Sequence, residues 1–168
     1  PSQNVPTFET ATLYPGTAFI EGTNLSEGRG TTMPFRWLGA PWINGEKWAD
    51  ALNELDLPGV KFRPVIFQPT FSKHCGKTVE GVQIHIADQN GLVPTEVGLH
   101  VIDQAKKLYP NEFEWIKTGD RYFIDLLWGS STYRQDLDRG RSVSDISQEW
   151  REFSKRFKER RKPPLLYQ

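Results

Sequence analysis

Between residues 21 and 32 the chain reads EGTNLSEGRGTT, a run whose residue types suit the handling of a polar ligand. Glu21 and Glu27, six positions apart across a glycine turn, are the kind of pair that supplies an acid and a base. Arg29 is able to hold a carboxylate through two parallel hydrogen bonds. Asn24, Ser26, Thr31 and Thr32 add mixed donors and acceptors, which match sugar hydroxyls. Gly22, Gly28 and Gly30 would let the backbone come close to a ligand. The same composition also describes an ordinary solvated loop, and the residues alone leave both readings open. A phosphate loop is excluded, because GRGTT lacks the lysine that such a loop requires.

Three further features bear on a site. Trp37 and Trp42 flank Gly39-Ala40-Pro41 directly after the loop, and indole faces pack on the apolar faces of sugar rings as well as in cores. His85 falls on the polar side of an alternating segment, either as a site residue or as a half-buried histidine with a partner. His74, Cys75, His85 and His100 show neither H-x-x-x-H nor C-x-x-C spacing, so no metal site is expected.

These residues need elements to position them. Residues 1–12, with two prolines, read as a linker or extended arm. A short strand is expected at 17–21, running into the loop. A helix over 46–55 carries Trp48, Leu52 and Leu55 on one face and stops at Pro58-Gly59. A strand at 60–68 contains Pro64 and so belongs at an edge or bulge. Residues 80–88 alternate most clearly, with Val82, Ile84 and Ile86 opposite Gln83 and His85. Helices follow at 95–108 and 120–128. A last helix is capped by Ser142 and Asp145, and its seam of Val143, Ile146, Trp150, Phe153 and Phe157 must be buried somewhere. Pro163-Pro164 ends it. The class is mixed α/β (α+β): a small mixed sheet flanked by helices.

Length and composition set the bounds. A chain of 168 residues, 12% aromatic, is one domain able to bury a core. Its 21 basic and 21 acidic residues cancel, so bulk charge suggests neither nucleic acid nor a membrane surface as partner. The basic run from Arg151 to Lys162 is read as a solvated outer face. No apolar run is long enough for a membrane span. The single cysteine, Cys75, has no intrachain partner. Pro1 in place of methionine suggests a processed chain or a fragment.

In order, YPGTAFIEGTNLSEGRGTTMPFRWLGAPW, LPGVKFRPVIFQPTFSKHCGK, EGVQIHIAD and FIDLLWGSSTYRQDLDRG resemble the C-terminal half of the DUF1343 family. That family includes exo-β-N-acetylmuramidases of the NamZ/YbbC type. The E-G-x-N-x-S-x-G-R-G-T-x-x-P-F pattern carries the resemblance most specifically. It implies a bacterial, exported glycoside hydrolase, periplasmic or at the cell surface. Such an enzyme removes N-acetylmuramic acid from the non-reducing ends of peptidoglycan fragments, without metal or organic cofactor. It also implies a cleft shared with an N-terminal Rossmann-like domain, absent here, with residues 13–168 as the C-terminal domain. On that reading Asn24, Ser26, Arg29, Thr31, Thr32, Trp37 and His85 bind substrate, Glu21 and Glu27 are catalytic candidates, and this part alone is inactive. The alternative is a non-catalytic module that binds cell-wall sugar.

Overall fold

The computed structural model describes residues 2–162. Thr7 opens the first helix, its side-chain oxygen accepting from the Thr10 amide at 3.1 Å and satisfying a donor that a helix start leaves free. Helix α1 (Phe8–Thr17) passes directly into a 3-10 turn over Ala18–Gly22. Two expectations are corrected here. The segment read as an extended arm is helical from Phe8 onward, and the strand expected at 17–21 is helical instead. The buried positions Thr10, Leu13, Gly16 and Thr17 do recur at helical spacing. Most of them are threonine or glycine, so the stripe does not read as apolar.

Gly16 explains why the helix persists there. A Cβ on Gly98 would sit 2.1 Å from the Gly16 carbonyl oxygen, so the backbones of α1 and α3 (Pro94–Leu108) touch. Only glycine permits that approach.

The sheet has three strands in the order β1 (Trp37–Ala40), β3 (Val79–Ile86), β2 (Val60–Phe67). It is antiparallel throughout, not mixed. Strand β2 is an edge strand, as Pro64 requires. The register places Leu38, Val82, Ile84 and Phe62 on one face, where they join Trp48 and Leu52 of α2 (Gly45–Asn53) in the core. Asn53 at the end of α2 holds the backbone of β2, donating to the Phe62 carbonyl at 2.8 Å and accepting from its amide at 3.0 Å. The opposite face carries Trp37, Gln83 and Arg63 on one rung and His85 and Lys61 on the next.

After α3 comes a small hairpin, β4 (Lys117–Thr118) and β5 (Arg121–Tyr122). It takes up the start of the helix expected at 120, so α4 runs Phe123–Trp128 and ends at Gly129, whose φ is 83°. A helix of seven residues is too short for pattern alone to mark α5 (Thr132–Asp138), yet Tyr133 there is fully buried and donates to the Leu99 carbonyl of α3 at 3.1 Å.

Helix α6 (Val143–Arg161) begins at the expected Ser142 cap, whose Oγ accepts from the Asp145 amide at 3.1 Å. Its seam is buried only at the start. Val143 and Ile146 enter the core, whereas Phe153 is 60% and Phe157 45% exposed. The last turns carry the pattern but meet no core among the described residues. Pro163-Pro164 lies outside the described residues.

Candidate functional site

The loop after the 3-10 turn is shaped by contacts from elsewhere in the chain. Ser26 exchanges backbone hydrogen bonds with Gly39 at the start of the sheet, at 2.7 and 3.2 Å. Asn24 spends its side chain on the 112–114 segment, donating to the Glu112 carbonyl at 2.7 Å and accepting from the Glu114 amide at 3.1 Å. Ser26 Oγ accepts from the Gly28 amide at 3.1 Å, and Thr31 Oγ1 donates to the Gly28 carbonyl at 2.6 Å. Asn24, Ser26 and Thr31 therefore hold the loop's shape. Gly30 has φ 81°, and a Cβ there would meet the Phe71 amide nitrogen at 2.6 Å. Its carbonyl accepts from both the amide and the hydroxyl of Thr70 at 2.9 Å, so the 68–78 connection closes over the loop.

Glu21, Glu27 and Arg29 do converge. Arg29 Nη2 donates to Glu21 Oε1 at 3.0 Å, and its Nε lies 3.6 Å from Glu27 Oε1. The guanidinium also stands 5.3 Å from the centre of the Phe35 ring. The fourth member, Lys73, is one that sequence reasoning missed. Its Nζ is 3.1 Å from Glu27 Oε2 and donates to the carbonyls of Ile20 and Leu25 at 3.0 Å and of Glu21 at 3.3 Å. Next to it, His74 Nε2 donates to the Asn24 carbonyl at 2.7 Å. In the stretch FSKHCGK only the histidine and the cysteine have side chains that suggest a site; a single lysine beside them gives no signal by itself.

The charges are not equivalent. Burial pushes the Glu21 carboxyl above its ordinary value, Arg29 works against that shift, and the neighbouring Glu27 reinforces it. Burial lowers Lys73 in turn, opposed by Glu27. The Glu27 side chain is only 3% exposed, while that of Glu21 is 18% exposed. Glu21 is thus the carboxyl with both a route to solvent and a tendency to keep a proton, as a general acid needs. Glu27 is an anchor between Arg29 and Lys73.

An open cleft of about 590 Å³ lies beside this network. Gly30, Thr31 and Thr32 form one side, Trp37 and Phe67 another, and Ile66, Gln68, Thr70 and Phe71 the rim, with Gln3 and Asn4 across it. Trp37 is half-buried and leans on Phe67 with ring centres 5.7 Å apart. Trp42 is not part of the cleft; it packs against Tyr109 at 5.5 Å. Glu21, Glu27 and Arg29 do not line the cleft. His85 lies farther along the Trp37 face of the sheet, with Nε2 buried and unpaired. Burial lowers its pKa first, and Arg63 and Arg36 lower it further.

Among the described residues, no group of three or more His, Cys, Asp and Glu is placed to hold a metal ion, and no helix is long and apolar enough to cross a membrane.

The comparisons with known proteins agree with one another. The family model described as exo-beta-N-acetylmuramidase NamZ, C-terminal, matches residues 12–167. The peptidoglycan beta-N-acetylmuramidase NamZ of Bacillus subtilis (strain 168) is 43% identical over 167 residues, which cover 99% of this chain and 40% of that protein. A crystal structure of a DUF1343 family protein from Bacteroides fragilis NCTC 9343 is 30% identical, with a TM-score of 0.88 over 99% of this chain and 44% of its own. A second DUF1343 structure from the same organism is also 30% identical, with a TM-score of 0.64 over 100% of this chain and 43% of its own. The chain therefore spans less than half the length of each of these relatives. With the family model covering nearly all of it and the fold shared at this level, the chain belongs to the NamZ C-terminal family of DUF1343 proteins.

Proposed function

We propose that this chain forms one wall of the substrate cleft of a glycoside hydrolase. The enzyme releases N-acetylmuramic acid from the non-reducing ends of peptidoglycan fragments. The observation that carries the reading is the cleft itself. Trp37 presents an aromatic wall beside the hydroxyls of Thr31 and Thr32, in a space of about 590 Å³ that suits a sugar ring. Glu21, paired with Arg29 in the loop that supplies Gly30, Thr31 and Thr32 to the cleft, has a carboxyl that burial inclines to hold a proton. The relative's name, a peptidoglycan beta-N-acetylmuramidase, supplies the substrate class.

Hydrolysis of a glycoside needs a second carboxyl about 5–9.5 Å from the acid. Glu27 is a poor choice, being buried between Lys73 and Arg29. We therefore place the second carboxyl on the additional length that the relatives have, in a Rossmann-like N-terminal domain facing this cleft. A substrate in the cell wall also implies an exported protein, periplasmic or at the cell surface. The committed state of Glu27 favours a second reading for this chain on its own, a module that binds cell-wall sugar without cleaving it.

A chromogenic N-acetylmuramic acid glycoside tests both. Turnover is expected from a polypeptide of the relatives' full length that carries this chain, and none from residues 1–168 alone. No turnover by the longer protein removes the glycosidase reading, and full turnover by the short chain removes the shared cleft.

A further inference from the structure

Resting on the reading just given, we propose that Phe71 is a substrate-binding residue of the cleft, its ring packing on the saccharide that lies against Trp37. Phe71 lines the cleft and takes no part in the core. It is 46% exposed, and it is not among the partly buried side chains packed on the core either. Trp37 and Phe67 lean on each other, whereas Phe71 has no aromatic partner among the described residues. A lone exposed apolar side chain is ordinary on any protein surface. Phe71 is not alone: Ile66, 68% exposed, shares the rim with it, and both border the concave surface that holds Trp37, Thr31 and Thr32.

The backbone on both sides of Phe71 is fixed. Ser72 and His74 have φ of 70° and 59°, a left-handed conformation that residues with side chains keep only where their surroundings impose it, commonly at ligand sites. The surroundings do impose it. Thr70 gives both its amide and its hydroxyl to the Gly30 carbonyl at 2.9 Å, and Cys75 Sγ donates to the Thr70 carbonyl at 3.1 Å. Lys73 is tied to Glu27 and to the carbonyls of Ile20, Glu21 and Leu25, and His74 to the carbonyl of Asn24. A Cβ on Gly30 would lie 2.6 Å from the Phe71 nitrogen and 2.7 Å from its carbonyl oxygen, so the two loops touch through their backbones at the edge of the cleft. These anchors engage the residues flanking Phe71 and leave its ring at the rim.

A pyranose ring carries C–H groups on its faces and hydroxyls at its edges. Aromatic rings suit the faces, and polar groups such as those of Asn4, Thr32 and Gln68 in the same lining suit the edges. A ring whose backbone is already fixed loses little freedom when the ligand arrives. Such packing acts on the bound substrate and on the transition state alike, so its loss appears in KM and not in kcat. For a half-exposed phenylalanine the effect is about fivefold.

The test is kinetic, on a polypeptide of the relatives' full length that carries this chain. The substrate is the unmodified β-linked disaccharide of N-acetylmuramic acid and N-acetylglucosamine. Phe71→Ala should raise KM about fivefold and hold kcat within about twofold. Its Tm should match wild type, because the ring lies outside the core. Phe71→Tyr keeps the ring and should restore the wild-type KM. Phe153→Ala removes an exposed phenylalanine that does not line the cleft, and should leave KM unchanged. An unchanged KM for Phe71→Ala overturns the assignment and leaves the substrate reading standing. A raised KM that comes with a fall in Tm also overturns it, since the ring would then pack against the additional length of the longer protein. No release of N-acetylmuramic acid by the wild-type protein overturns the substrate reading, and the proposal with it.

Discussion

Lys73 and Glu27 lie 46 positions apart in the chain, yet the lysine ammonium is 3.1 Å from a glutamate oxygen that is shut off from solvent. The same ammonium takes carbonyls on both sides of the turn, so one side chain pins the backbone from Ile20 to Glu27. Removing it leaves the Leu25 and Glu21 carbonyls without this donor and leaves the buried Glu27 carboxylate with only Arg29 at 3.6 Å and Ser72 Oγ at 3.4 Å, while the Ile20 carbonyl keeps Thr23. Lys73→Met should cost about 3–5 kcal/mol in urea unfolding. Adding Glu27→Gln should recover part of that loss, because the remaining charge is removed as well. Losses that simply add would show that the two groups act separately.

Glu21 gives a pH signature. Its carboxyl is raised in the folded protein, chiefly by burial, so ionising it works against folding. The stability due to its protonated form is fully present below the unfolded value and is lost as pH climbs through the folded one. Glu21→Gln keeps a neutral group at every pH. Wild type should therefore lose ground to Glu21→Gln as pH rises from below 4.5 through the carboxyl's elevated range. Parallel denaturation midpoints across that window, or the opposite trend, would show that Arg29 outweighs burial.

Much of this arrangement is visible in the sequence, and the part that is not has a common cause. Alternation in VQIHI marks β3 and puts His85 on the outer face, Pro64 puts β2 at an edge, and Ser142 opens α6 where expected. Of the polar loop residues, Thr31 and Thr32 line a cleft together with Trp37, whereas Glu21, Glu27 and Arg29 do not. What spacing cannot show is which polar groups satisfy one another. Asn24 looks like a ligand residue until the 112–114 segment takes both ends of its amide. Arg29 looks free until Glu21 and Glu27 turn toward it. Helix α1 stays hidden because backbone contact between Gly16 and Gly98 stabilises it, and close approach of that kind leaves no apolar periodicity.

Arg29 should behave as a structural cation. Arg29→Lys keeps the charge but not the fork that reaches Glu21 and Glu27 together. In a full-length active protein, kcat/KM should fall by a similar factor on muramic acid and glucosamine glycosides. A selective loss on the muramic acid substrate would return carboxylate recognition to Arg29.

Arg63 can be read through its neighbour. Burial lowers the His85 pKa first, and the positive charges of Arg63 and Arg36 add to it. Arg63→Met removes one of those charges, so the imidazole should titrate at higher pH than in wild type, as followed by the His85 ring resonances. An unchanged midpoint would show that the Arg63 charge does not act on the imidazole.

Helix α6 separates pattern from burial. Ile146 and Phe153 belong to one apolar seam in the sequence, but Ile146 is 6% exposed and Phe153 60%. Ile146→Ala empties part of the core and should cost about 2–5 kcal/mol. Phe153→Ala removes a ring that already faces water and should shift stability by no more than about 0.5 kcal/mol. Thermal or urea unfolding of the two variants decides the point. Equal, large losses would mean that the seam is buried along its whole length, as its spacing suggests. A large loss at Ile146 alone would leave Phe153 and Phe157 as surface that this chain's own core does not use.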